Sequence, residues 1–397
     1  VNRRCTTFAA IGAVVAGTAL TTPATAAGGE PAVRFATFNA SLNRPAAGDL
    51  LADLSTPDDP QAAKVAEVVQ RARPDVLLLN EFDHVEGGAA VDAFRDNYLA
   101  VGHHGARPID YPYSYTAPVN TGVPSGMDLD HDGVVGGPGD AHGFGEFPGQ
   151  YGMVVLSKHP IDEDAVRTFQ GFRWADMPGA LLPDDPATPE PADWYSPEEL
   201  REVRLSSKSH WDVPVEVGGR RIHLLAAHPT PPNFDGPEDR NGLRNHDEIR
   251  FWSDYVHPAR GDYLYDDAGR SGGLAPGARF VIAGDHNSDP VDGDSVPGAA
   301  DRLLDAHRVR DPEPASAGAV QAAHDQGGAN AEHRGPARLD TADFSDDAPG
   351  NLRVDYVLPS WPLRPTGSGV FWPAPQDPTA RLNDASDHHL TWVDLRP

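Results

Sequence analysis

The sequence predicts an α/β fold, and three observations lead there. Short apolar runs of strand character occur together with segments at helical spacing, those runs repeatedly end on polar residues, and no repeat or long low-complexity linker divides the chain. VRFATFN (33–39) alternates as a strand and ends on Asn39. QAAKVAEVVQRAR (61–73) carries apolar residues at helical spacing and is closed by Pro74. DVLLLNE (75–81) follows at once as a buried-strand pattern ending on Glu81. QYGMVVLSKHPI (150–161), RIHLLAAHPTPP (221–232), RFVIAGDHN (279–287), LRVDYVLPS (352–360) and HHLTWVDL (388–395) complete the predicted strands. EDRNGLRNHDEIRFWSDYV (238–256) has the pattern of an amphipathic helix. The Gly/Pro/Asp-rich stretches 103–149, 175–200, 258–277 and 311–348 are expected to be surface insertions on one domain, residues 28–397.

Residues 1–27 have the three-part pattern of a secretory signal peptide: Arg3 and Arg4, the apolar run FAAIGAVVAGTAL, then the small residues ATAA. That run is too short to cross a bilayer, which takes ~20 residues, so the expectation is a secreted protein with no stable membrane anchor. RRCTTF partly resembles a twin-arginine signal, which leaves the export route open. The only cysteine, Cys5, lies in this segment, so residues 28–397 offer no disulfide, thiol nucleophile or thiolate ligand. Any metal there must be held by oxygen or imidazole. The net charge of -27, from 59 acidic and 32 basic residues, argues against tight nonspecific nucleic-acid binding. It leaves room for a nuclease with a locally positive cleft.

The strand ends carry the chemistry. Asn39, Glu81, His228, Asp285 and Asn287 each stand where an apolar run stops, and ligand sites in sheet proteins gather where strands end at one edge. SDHH (386–389) instead precedes its strand, LTWVDL, so an antiparallel last strand would bring it to that same edge. Bland alternatives stand beside these readings. GDHNSDP also fits an Asx-type turn, Asn39 a turn cap, and His228 a structural donor in a loop stiffened by PTPP. An unpaired carboxylate ending an apolar strand is costly, which favours a ligand role for Glu81. Alternation points His389 away from His388 and marks it as structural.

TFNAS, LLNEFD, AAHPTPP, AGDHNSDP, LRVDYVLPS and SDHH, in that order, resemble the successive motifs of the endonuclease/exonuclease/phosphatase superfamily. GMVVLSKHPI resembles its usual central strand, and the likeness runs over roughly residues 32–396, broken by the insertions. The resemblance implies a four-layer α/β sandwich, two mixed β-sheets face to face with helices outside, that hydrolyses phosphoesters with a divalent cation. It implies that Asn39, Glu81 and Asp387 hold Mg²⁺ or Mn²⁺, an ion that keeps waters and takes substrate phosphate. Asp285 would orient and deprotonate the attacking water, and Asn287 would donate to a phosphate oxygen. His388, oriented by Asp355, would stabilise transition-state charge, and His228 would contact phosphate or protonate the leaving group. Asp355, set within an apolar strand, needs such a partner. Two departures stand out. His286 occupies a position usually uncharged in the family, where it could face away into an acidic pocket, be an extra metal or phosphate ligand, or pack. Asn39 is followed by Ser41 and Asn43, without the aspartate that some members place two residues on.

In SGMDLDHDGVVGGPGD (125–140), Asp128, Asp130 and Asp132 take positions one, three and five of a calcium loop, with Gly133 at the turn. Position twelve is Gly139, with Asp140 just beyond, and no helix pattern flanks the segment. A solvated acidic turn and a structural Ca²⁺ site are the two readings. Arg240, Arg244, Asn245 and His246 open the 238–256 helix, where they would either meet phosphate or lie on the surface. The chain contains no G-x-x-x-x-G-K-[ST], no H-E-x-x-H and no G-x-S-x-G. The expected function is a secreted, metal-dependent phosphoesterase using in-line water attack on a small phosphoester. An extracellular endonuclease, a sphingomyelinase-like lipid phosphodiesterase and an inactive binding protein are the alternatives. Nucleic acid is the less favoured partner, and no pattern speaks to oligomeric state.

Overall fold

The computed structural model describes residue 1 and residues 31–397, so the signal-peptide reading of 1–27 lies almost wholly outside the described residues. Residues 32–397 form one compact unit. Its strands are β1 (Val33–Leu42), β2 (Val76–Phe82), β3 (Tyr113–Tyr115), β4 (Met153–Ser157), β5 (Arg167–Thr168), β6 (His210–Val217) and β7 (Arg220–Ala227). They continue with β8 (Arg279–Asp285), β9 (Ala342–Asp343), β10 (Asn351–Leu352), β11 (Asp355–Pro359), β12 (Arg364–Val370) and β13 (Thr391–Arg396). The helices are α1 (Asp49–Leu54), α2 (Pro60–Ala72), α3 (Ala89–Phe94), α4 (Arg240–Val256), α5 (Ala299–Leu304) and α6 (Ala317–Gln326).

Two mixed sheets result, one in the order β12-β13-β1-β2-β4-β3 and the other β11-β8-β7-β6-β5. Each has a single parallel pair, β1 with β2 and β7 with β8, flanked by antiparallel neighbours. The two-residue period of the strands sorts their side chains between two faces. Val33, Phe35, Val76, Leu78, Met153 and Val155 of the first sheet pack on Val213, Val215, Ile222, Leu224, Val281 and Val357 of the second. The alternate positions face outward. Phe38, Leu77, Leu79 and Leu156 bury against Val65 and Val69 of α2 and Phe94 of α3. On the far side Leu225, Phe280, Ile282 and Leu358 bury against Ile249 and Trp252 of α4 and Leu303 of α5. The architecture is therefore the four-layer sandwich, helices outside two facing sheets. Among the described residues no helix is long and apolar enough to cross a membrane.

Local chemistry sets the ends of elements. Asp59 caps α2 by accepting the Ala62 N–H, Pro60 takes the first turn, and Arg73 ends the helix in the left-handed region before Pro74. The strand HWDVPVEV, β6, is not anticipated by the sequence reading, because His210, Asp212 and Pro214 interrupt its apolar pattern. Asp212 is tolerated there because it accepts from Tyr255 at 2.6 Å and lies 2.6 Å from the His223 ring. Gly218 and Gly219, both at positive φ, close the β6–β7 hairpin, a turn that non-glycine residues strain to make.

Candidate active site

The same period that fills the inter-sheet layer delivers the site. Along β8, Val281 and Ala283 belong to that layer and the next residue on the face is Asp285. Along β7, Ile222, Leu224 and Ala226 lead to His228 just past the strand. Along β1, Phe35 and Thr37 lead to Asn39, and β11 opens with Asp355 two residues before Val357. Asp355 and Asp285 are register partners, so antiparallel β11 starts where β8 ends. The last strand, β13, runs antiparallel to β1, and this brings the preceding His388 to the same edge. Five polar side chains thus converge where the apolar layer between the sheets stops, and all five are buried.

Asp285 is the hub. Its Oδ2 accepts from Asn39 Nδ2 at 3.0 Å and lies 3.4 Å from His228 Nε2 and 3.6 Å from His388 Nε2. Its Oδ1 accepts the Asn287 N–H at 2.8 Å, and its own N–H donates to Asn80 Oδ1 at 3.2 Å. Behind His388, Nδ1 meets Asp355 Oδ2 at 2.8 Å, so the imidazole is held between two carboxylates. Thr341 Oγ1 fixes the start of β11 by accepting the N–H groups of Val354 and Asp355.

The electrostatics divide the roles. Burial alone would raise the Asp285 carboxyl, but His388, His228 and the Asn39 amide outweigh it and hold the group far below the usual range, so Asp285 is ionised. Burial would lower His388, yet Asp355 and Asp285 together raise it well above the ordinary histidine value. Burial pushes Asp355 up to about 6, against the pull of His388. His228 goes the other way: burial first and then the neighbouring Lys208 hold it below its ordinary value, which favours the neutral ring. One imidazolium and one neutral imidazole therefore flank one carboxylate.

Oxygen donors suited to a hard cation lie beside this hub. Glu81 Oε1 accepts from Asn39 Nδ2 at 3.0 Å, while Asp387 Oδ1 accepts from Ser41 Oγ at 3.1 Å. Asn39 Oδ1 accepts the Ser41 N–H at 3.2 Å, and Ser386 Oγ donates to the Asn39 carbonyl at 2.8 Å, tying the Asp387 segment to the end of β1. Glu81 and Ser41 both sit at positive φ, 57° and 48°, where non-glycine backbone is strained. Two carboxylates and an amide oxygen, with no thiolate, fit Mg²⁺ or Mn²⁺ with waters completing the shell. Asp285, Asp355 and His388 also bring donor atoms within 4.8 Å of one another. A metal there would need a deprotonated ring nitrogen, and the paired carboxylates favour the imidazolium instead.

Other predicted residues land differently. Asn287, at φ 51°, donates through Nδ2 to the Pro229 carbonyl at 3.1 Å and so ties the Asp285 turn to the His228 loop. The His286 ring is buried, neither nitrogen is hydrogen-bonded among the described residues, and the ring meets Tyr356 with centroids 5.8 Å apart. His389 stacks on Trp372 at 3.8 Å and is structural. Arg244 spends its guanidinium on the carbonyls of Leu205, Arg204 and His142, and Asn245 bonds those of Thr230 and His286, so both brace loops. In the 125–140 loop the carboxylates that meet are Asp128, Asp130 and Asp140, not Asp132. Asp132 turns to its own loop and accepts the Val134 N–H. Glycines 133, 136 and 137 at positive φ fold the chain back, so that buried Asp140 accepts from Leu129, Asp130 and Gly136. The sequence reading also passes over Asn80, Glu248 and Lys208. Glu248 accepts the N–H groups of Ser207 and Thr230, each at 2.6 Å. Nothing in the SSKSH stretch signals that Lys208 is buried beside the site.

A sequence profile of the Endonuclease/Exonuclease/phosphatase family matches residues 36–388. Among solved structures, an endonuclease/exonuclease/phosphatase from Beutenbergia cavernae DSM 12333 is 19% identical, with 92% of this chain and 72% of that chain covered and a TM-score of 0.49. An endonuclease/exonuclease/phosphatase family protein from Leptotrichia buccalis C-1013-b is 13% identical over 91% of this chain and 99% of that chain, TM-score 0.46. Sphingomyelinase C from Streptomyces griseocarneus is 14% identical over 92% and 99%, TM-score 0.45. No curated protein matches the chain.

Proposed function

Since the chain belongs to the endonuclease/exonuclease/phosphatase family, whose members are phosphoester hydrolases, we propose that it is a divalent-metal-dependent phosphoesterase that hydrolyses a P–O bond by in-line attack of water. The observation that carries this reading is His388 held between Asp355 and ionised Asp285 while Asn39 and His228 close on the same Asp285 oxygen. Asp285 Oδ2 is the acceptor that orients the attacking water and takes its proton. The His388 imidazolium, kept charged by Asp355, offers Nε2–H to a phosphoryl oxygen as charge develops. His228, neutral and burial-depressed, fits a hydrogen-bond donor to phosphate better than a reservoir of protons. Asn39, Glu81 and Asp387 are the residues that would hold the cation. When bound, the cation supplies neutralisation of charge on the phosphoryl and leaving oxygens.

A small phosphoester is the favoured substrate, because the net charge of -27 opposes a polyanion. We place the start of the exported chain near residue 28, which mass spectrometry of protein recovered from culture medium checks. The functional test is hydrolysis of nitrophenyl phosphate, bis-nitrophenyl phosphate, plasmid DNA and sphingomyelin with Mg²⁺, Mn²⁺, Ca²⁺ or EDTA, beside Asp285→Ala. EDTA-sensitive turnover that falls about 10²- to 10⁴-fold in the variant is expected. Turnover of no ester with any metal, or an Asp285→Ala protein as active as the wild type, overturns the proposal.

A further inference from the structure

Lys208 stands on the approach to β6 and is only 6% exposed. Its backbone is pinned on two sides. The Lys208 carbonyl accepts the Asn120 N–H at 2.8 Å, and adjacent Ser207 gives its N–H to Glu248, the carboxylate that also holds Thr230 of the His228 loop. The ammonium, by contrast, makes no hydrogen bond or ion pair among the described residues. Its Nζ is not sealed from solvent, yet a largely buried ammonium without a protein acceptor is costly, since desolvation is compensated only by partners. Three carboxylates act on it from beyond contact, Glu248, Glu81 and Asp285, the last two belonging to the site just described. Ser207 Oγ donates to the His228 carbonyl at 3.5 Å and Lys208 acts on the His228 ring, which puts it on the His228 side of Asp285.

We propose that the Lys208 ammonium is a substrate-binding group that takes a phosphoryl oxygen on the His228 side of Asp285. This rests on the phosphoesterase reading and adds to it an ammonium that burial disfavours and that Glu248, Glu81 and Asp285 support. With His388 engaged from its own side, a phosphoryl group at the hub meets a cationic donor from each histidine's flank. A compact ammonium on a pinned backbone holds phosphate as a point charge, without the planar fork of arginine. Glu248, the first carboxylate to act on it, turns its two oxygens to the backbone N–H groups of Ser207 and Thr230.

The test uses inorganic phosphate as the probe, on the full chain with Mg²⁺. Phosphate is expected to raise the Tm of the wild type, and Lys208→Met is expected to lose most of that rise. For any ester the wild type hydrolyses, KM and the inhibition constant of phosphate should both weaken about 10- to 100-fold, the size of one charged hydrogen bond. Lys208→Arg should recover part of each. A purely structural lysine would lower the Tm without phosphate and leave the phosphate-dependent rise intact. An equal rise in wild type and Lys208→Met, or none in the wild type at tens of millimolar (roughly a hundredfold above a binding constant expected of a charged site), overturns the proposal. Should Lys208→Met not fold, Lys208→Gln carries the same comparison. Because binding is read without turnover, a chain that hydrolyses nothing yet binds phosphate through Lys208 separates this inference from the proposed reaction.

Discussion

Replacing Asp355 with asparagine tests the charge relation at the centre of the site. The side chain keeps its shape and still accepts from His388 Nδ1, across 2.8 Å in the wild type, but it no longer carries charge. A hydrogen bond to a charged group contributes about 1.5–3 kcal/mol, and 1.36 kcal/mol corresponds to one pH unit. The His388 midpoint should therefore fall by about 1–2 pH units. Because the wild-type value is raised, the imidazolium and any activity that needs it persist through neutral pH and fade as pH rises through that value. Asp355→Asn moves the fading to lower pH. The assay is ¹⁵N NMR titration of the His388 ring in EDTA-treated protein, assigned by its loss in His388→Gln. It is paired with kcat/KM against pH on an ester that the wild type hydrolyses. Activity near pH 8 should drop about 10- to 100-fold, with a smaller loss near pH 6. An unchanged His388 midpoint in Asp355→Asn would refute the reasoning, whatever happens to turnover.

Two further outcomes follow from packing and from burial. Gly284 sits at φ +144°, and a Cβ there would lie 1.9 Å from the Ala227 carbonyl oxygen, so Gly284→Ala should cost more than about 3 kcal/mol in urea unfolding; a loss below about 1 kcal/mol would show that the β7–β8 approach relaxes freely. Burial first, then Asp289 and Asp292, push Asp340 up to about 8, so between about pH 4 and 8 the folded chain keeps a proton that the unfolded chain releases. Stability from this group is present at low pH and lost as pH rises through 8. Asp340→Asn should accordingly match the wild type near pH 4 and exceed it near pH 8, by a few kcal/mol at most. A variant less stable than the wild type at pH 8 refutes this.

What the sequence could express was periodicity. Phe35, Thr37 and Asn39, or Val281, Ala283 and Asp285, share a face because strand side chains alternate, and that rule names the strand-end residues before any coordinates exist. GDHNSDP shows its limit: Asp285 Oδ1 makes the Asx-type turn onto the Asn287 N–H, while Oδ2 faces the two histidines. One side chain satisfies both readings, and no local pattern separates them. Lys208 and Asp140 were illegible for a different reason. The place of Lys208 depends on Asn120, Glu248 and Glu81, which are distant in sequence, and that of Asp140 on the positive-φ glycines 133, 136 and 137, whose directions composition does not specify. Strand β6 was hidden because its buried Asp212 is satisfied by partners, Tyr255 and His223, that lie elsewhere in the chain.

The hub also makes register and chemistry a single constraint. Asp285 belongs to the second sheet, yet its Oδ2 accepts from Asn39 of the first, and its N–H donates to Asn80, also of the first. At this edge a polar network takes over from the apolar layer in joining the sheets. A one-residue slip of β1 against β2 would bring Phe38 or Ala40 to the position of Asn39 and turn the whole alternating set to the wrong face. Such a slip would strip Asp285 of a donor and bury an apolar group among carboxylates. The residues proposed for water activation therefore also select the native pairing, and the strained positions around them are tied into the site: Glu81 to Asn39, Ser41 to Asp387 and Asn287 to Asp285.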